Sequence, residues 1–242
     1  MNKLYEKSEL WFAVLWIIVY VVGTSLTDSL GFSKIPTFVF HAVLCYIAFL
    51  WLRKNGMFEK YGLCKPVVPA SKLLYYVPLL IPVTCNFWFG VTMNMPLVET
   101  VFYICSMICV GFLEELIFRG FLFKAMAKDN IKAAVIVSSI TFGIGHIVNL
   151  INGSGAELVP NLCQVCYAIA IGFMFVMLFH YSKSLWVCII THSIVNALSA
   201  FGVQAGMTGE LISAAILTVV PAAYAVYIAK HVSVDSNVDI SY

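Results

Sequence analysis

The sequence predicts an all-α fold: a polytopic transmembrane helical bundle of about eight spans, with both termini in the cytoplasm. Three observations predict it. Hydrophobic residues make up 62% of the 242 and charged residues only 11%, against about 25% charged in a soluble domain. The mean hydropathy is +0.94, and it is concentrated in long apolar runs rather than the short alternating segments of an outer-membrane barrel. Lysine and arginine, finally, are distributed asymmetrically between alternate loops.

The apolar runs are residues 10–26, 36–52, 73–93, 99–123, 132–150, 159–180, 184–202 and 209–229, each near the length that crosses a bilayer. The third contains Pro78 and Pro82 and the eighth Pro221, so a kink or split is expected in both. On this assignment twelve cations fall on one side: Lys3, Lys7, Arg53, Lys54, Lys60, Lys65, Lys72, Lys124, Lys128, Lys132, Lys183 and Lys230. Only Lys34 falls on the other, and Arg119 lies within a span. The positive-inside rule places the cation-rich loops in the cytoplasm. The first run has spanning length and no small-residue cleavage site, which predicts a signal anchor in a multi-pass protein of the cell membrane.

The net charge of +2 gives no argument for nucleic acid, and the basic loops suit anionic lipid. The eight cysteines are scattered, seven of them in apolar runs, which argues against a disulfide framework. Cys163 and Cys166 form a CxxC on a helix with no second pair. They read as small packing residues, with zinc ligation the alternative.

Organisation along the chain is uneven. Residues 1–96 read as N-terminal transmembrane helices with a structural role, 97–230 as a catalytic helical core, and 231–242 as a polar tail, all within one membrane domain. The longest polar connection, residues 53–72, is basic and carries no evident chemistry.

The polar chemistry of the membrane segments concentrates after residue 97. The run GFLEELIFRGFLF carries Glu114, Glu115 and Arg119 in one span, at about 2.5–3.5 kcal/mol per charge near a helix centre. Glu115 and Arg119 are four apart, so they share a face and can pair. Glu114 points about 100° away and is left free. Glue between helices would need only the pair, so the leftover acid is the informative one. The next span carries Phe142 and His146 on one face, with Gly143 and Gly145 expected to admit a neighbouring helix. The seventh carries His192 and Asn196, again four apart.

Taken singly, His146 and Asn196 read as packing or bridging residues. Depth changes this. At 1.5 Å per residue Glu114 lies about 15 Å from Lys124, His146 about 21 Å from Lys132, and His192 and Asn196 about 13 and 20 Å from Lys183. Three helices therefore carry polar groups into one mid-membrane layer, which predicts a shared cavity lined by Glu114, His146, His192 and Asn196. A carboxylate and two imidazoles can activate water or bind a metal. HExxH and GxSxG are both absent, so water activation is favoured over a covalent nucleophile.

The motifs Glu114-Glu115-Leu-Ile-Phe-Arg119, Phe142-Gly-Ile-Gly-His146 and His192-Ser-Ile-Val-Asn196 fit EExxxR, FxxxH and HxxxN. In that order, over residues 97–202, they resemble the CPBP family of type II CAAX prenyl endopeptidases and bacteriocin-processing proteins, also called Abi. The resemblance implies peptide-bond hydrolysis within the membrane on a peptide or protein substrate. It implies that Glu114 and His146 activate water, that His192 and Asn196 stabilise the oxyanion, and that Glu115, Arg119 and Phe142 support them. No cofactor is expected. A zinc-dependent version would use Glu114, His146 and His192. A non-catalytic bacteriocin-immunity or peptide-binding role and a proton-coupled transporter are the readings from other classes.

Overall fold

The computed structural model describes residues 1–30, 34–152 and 155–233, so most of the expected polar tail lies outside the described residues. The described elements are helical, with a single isolated β-bridge between Val91 and Gly202. The helices are α1 (Asn2–Lys7), α2 (Glu9–Asp28), α3 (Ile35–Asn55), α4 (Leu80–Thr84), α5 (Leu97–Glu114), α6 (Lys124–Ala127), α7 (Ile131–Gly145), α8 (Leu158–Ser182), α9 (Trp186–Leu198) and α10 (Met207–His231). A π-helical stretch, Glu115–Phe123, joins α5 to α6 without a break, giving one helix from Leu97 to Ala127. Local sequence sets several ends. Ser8 accepts from the Trp11 amide and Asn130 from the Ala133 amide, as N-caps do. Gly56 ends α3 at φ 66°, where a left-handed residue closes the last turn.

Six helices are long and apolar enough to cross a membrane, and Trp186–Phe201 is a shorter apolar helix. With outward-facing Trp11, Ile18, Tyr46, Val101 and Val219 all well exposed, the molecule is a multi-pass integral membrane protein whose outer apolar surface suits lipid.

The third predicted span is not one continuous helix. It is a 3₁₀ stretch over Ala70–Leu79, the five residues of α4 and a 3₁₀ turn over Cys85–Phe87. The prolines are only part of the reason. Leu74, Tyr75 and Tyr76 take left-handed φ values of 50°, 49° and 60°, which no right-handed helix can contain. The segment starts beside the end of α8, where the Val67 amide reaches Ser182 O at 2.9 Å, and finishes past α9, where the Thr92 amide reaches Phe201 O at 2.8 Å. Protein groups satisfy its broken backbone. The Tyr224 hydroxyl donates to Leu73 O at 2.6 Å, as irregular backbone at membrane depth requires. Pro221, by contrast, lies inside α10 without splitting it.

Two packing regions position the site. Phe12, Trp16, Trp51 and Tyr61 close around Phe121 of the π-helical stretch. On the other side α8, α10 and the broken third segment share Leu73, Phe175, Leu178, Tyr224 and Ile228. The basic loops meet at one end of the bundle. Glu9 pairs with Lys60 at 2.8 Å and Lys128 at 2.7 Å, Lys124 donates to Lys60 O, and Cys64 donates to Lys183 O. Burial works against the Lys60 ammonium, but Glu9 and the Tyr5 hydroxyl more than offset it and hold its pKa above the usual lysine value.

Candidate active site

The site is built where α5 passes into the π-helical stretch. Glu114 is the last residue of α5 and Glu115 the first of the π turns, and all nine residues of the stretch are buried. Such turns re-aim side chains relative to an α-helix and cluster at functional sites. Sequence spacing gave no sign of them.

Glycines bring the partner helices in. A Cβ on Gly111 would lie 2.7 Å from the Ser193 amide nitrogen, so α9 runs against α5 with its backbone nearly touching. That contact delivers His192, the next residue, to the two glutamates. A Cβ on Gly143 would lie 2.7 Å from the Ile169 amide nitrogen, which fixes α7 against α8. Gly145 faces open space, so of the two glycines expected to admit a neighbouring helix only Gly143 does so.

Glu115 and Arg119 form the expected pair, fully buried, with Nη1 3.1 Å from Oε1. The same Oε1 lies 2.8 Å from His192 Nδ1. The acid assigned to support Glu114 therefore also holds an imidazole of another helix. Glu115 Oε2 and the Nε and Nη2 of Arg119 have no protein partner. The guanidinium is covered by aromatic faces instead, 4.0 Å from the Phe142 ring centre and 5.5 Å from that of Phe175, a stabilising arrangement for a desolvated cation. Phe142 also meets His146 and His192 edge to face, at 5.6 and 5.7 Å. Its place in FxxxH is thus explained: one ring spaces the arginine and both histidines.

Glu114 is the less buried acid. Its Oε1 accepts from the Tyr20 hydroxyl at 2.6 Å, and its Oε2 lies 3.7 Å from His192 Nε2, beyond direct hydrogen-bond reach. His146 caps the end of α7, where its carbonyl accepts from Asn161 of α8 at 3.0 Å. Glu114, Phe142, His146, His192 and Asn196 all line one cavity of about 420 Å³. Glu115 and Arg119 lie behind it.

With Nδ1 donating to the Glu115 carboxylate, the tautomer of His192 is set, because a carboxylate can only accept. Nε2 is the nitrogen left to face Glu114 and the cavity. Among the described residues, no three His, Cys, Asp or Glu side chains form a group that could hold a metal ion. Glu114, His146 and His192 are not gathered into such a group, and no third such side chain joins Cys163 and Cys166.

Tyr20 is the residue that sequence reasoning missed. It lies about 17 Å along α2 from Glu9, the same depth as Glu114, so the depth argument applied to the front half would have found it. His41 of α3, stacked on Tyr20 with ring centres 5.6 Å apart, was also passed over.

No curated protein and no solved structure matches the chain. Residues 96–198, which hold all three motifs, match the family model of the Rce1-like type II CAAX prenyl endopeptidases, the family that the motifs resemble.

Proposed function

We propose that this protein is an intramembrane endopeptidase in which Glu114 and His146 activate water and His192 and Asn196 stabilise the oxyanion. The observation that carries this reading is the convergence of those four side chains on one cavity, inside the stretch that matches a family of membrane endopeptidases.

The steps follow from the groups present. A water held between Glu114 and His146 gives a proton to the Glu114 carboxylate as its oxygen adds to the scissile carbonyl carbon. The carbonyl oxygen becomes an oxyanion, which accepts hydrogen bonds from the Asn196 amide and from His192 Nε2. Because Nδ1–H is committed to Glu115, His192 donates from Nε2 only as an imidazolium. Its charge and that of Arg119 then balance the carboxylates of Glu114 and Glu115. The tetrahedral intermediate collapses, the C–N bond breaks, and the proton collected from water passes to the leaving amine. Glu115 orients the imidazolium, and Arg119 pairs with Glu115 in an apolar wall.

The experiment is cleavage of an internally quenched farnesylated CAAX peptide by purified protein in proteoliposomes. Wild type is expected to cut it, and Glu114→Gln and His146→Ala to lose cleavage while remaining folded. Retained cleavage in either variant would sink the mechanism. A proteomic comparison of membranes holding wild type or Glu114→Ala then identifies natural substrates, which are expected to accumulate uncut in the variant.

A further inference from the structure

We propose that Tyr20 is a positioning residue for Glu114, held in place by a buried polar clamp around His41. The inference rests on the reading of Glu114 as the base. It extends the site into α2 and α3, which none of the three motifs reaches.

The Tyr20 hydroxyl donates to Glu114 Oε1 at 2.6 Å, with the tyrosine 6% exposed. That bond takes one carboxylate oxygen and leaves Oε2 on the His192 side of the cavity. A carboxylate in an apolar wall can rotate between several poses, and a short bond to one oxygen removes that freedom. The ring of Tyr20 is itself fixed. It stacks on His41, the planes tilted by 29°. His41 is fully buried and engaged at both nitrogens, by Thr24 Oγ1 and by Ser106 Oγ, each at 2.9 Å. Those partners come from α2 and α5, so the clamp ties three helices together beneath one phenol. A phenylalanine would fill the same space against His41. The hydroxyl is the part that packing does not explain, and among the described residues its hydrogen bond is to the proposed base.

The competing account is that the bond only glues α2 to α5. Tyr20→Phe separates the two, with the farnesylated quenched peptide as probe in proteoliposomes. Positioning predicts that kcat falls about tenfold or more while KM stays within about twofold and the variant remains folded. An unchanged kcat with lowered thermal stability overturns the proposal in favour of glue. If Tyr20→Phe does not fold, 3-fluorotyrosine at position 20 keeps the ring and strengthens the donor. The proposal then requires kcat to shift at constant KM, and an unmoved kcat overturns it. A second readout is independent of activity. The carboxylate infrared band lost in Glu114→Gln must shift in frequency in Tyr20→Phe, and an unmoved band overturns the proposal. If wild type cuts no peptide, the endopeptidase reading fails by itself, and the infrared band still decides whether Tyr20 controls Glu114.

Discussion

His192 Nδ1 and Arg119 Nη1 meet at the same atom, Glu115 Oε1, at 2.8 and 3.1 Å. Glu115 thereby couples a buried guanidinium on its own helix to an imidazole on another. The arrangement separates the two adjacent glutamates by task, and their substitutions should differ in kind. Glu115→Gln leaves the Arg119 charge buried with no counter-charge, a change of about 3–5 kcal/mol for a broken buried pair. Glu114→Gln keeps an acceptor for Tyr20 and faces a cavity, so it should leave stability nearly unchanged while removing activity. Thermal unfolding in detergent checks this. Equal stability of the two variants would show that the pair is not structural.

Asn196 offers a cleaner test of the oxyanion role, because the structure gives its side chain no helix-bridging bond among those described. Asn196→Ala should lower kcat by about 10²–10³ with little change in KM, as for other lost oxyanion donors. Asn196→Asp should be no better, since an ionised carboxylate cannot donate. Steady-state kinetics on the quenched peptide reads both. A fall confined to KM would move Asn196 from transition-state stabilisation to substrate binding.

Much of the site was legible from spacing along single helices. Spacings of four put Glu115 with Arg119 and His192 with Asn196, and depth counting placed Glu114, His146, His192 and Asn196 in one layer. Relations across helices were not legible. Nothing in the sequence says that His192 reaches Glu115, because the approach is set by the Gly111–Ser193 contact. Tyr20 was hidden for a different reason: a tyrosine among apolar residues gives no charge signal. The fold shows the same limit. Hydropathy marks the third segment as a span, but its course is set by three left-handed residues and two prolines that hydropathy averages away.

The glycine contacts give a prediction with an internal control. Gly111→Ala and Gly143→Ala would each drive a methyl into the backbone of a facing helix, at Ser193 and at Ile169. Overpacking of this sort costs about 1–3 kcal/mol, and it also shifts α9 from α5 or α7 from α8. Both variants should lose stability and kcat together. Gly145→Ala, two residues from Gly143 and next to His146, meets nothing within 4 Å and should fold as wild type does. Thermal stability in detergent compares the three directly. A destabilised Gly145→Ala would mean that the α7 contacts are misassigned.

Metal dependence turns on where the donor atoms point. Glu114 Oε1 is taken by Tyr20, and His192 Nδ1 by Glu115. No three-donor group forms among the described residues, whereas a catalytic zinc needs three protein ligands at about 2.0–2.2 Å. Glu114 Oε2 and His192 Nε2 face each other at 3.7 Å, so one ion between them would still need a third protein ligand. Dialysis against a strong chelator should therefore leave cleavage of the quenched peptide unchanged, and metal analysis of purified protein should find no stoichiometric zinc. Cleavage abolished by the chelator and restored by zinc alone would overturn this, and Glu114 would then be a ligand rather than the base.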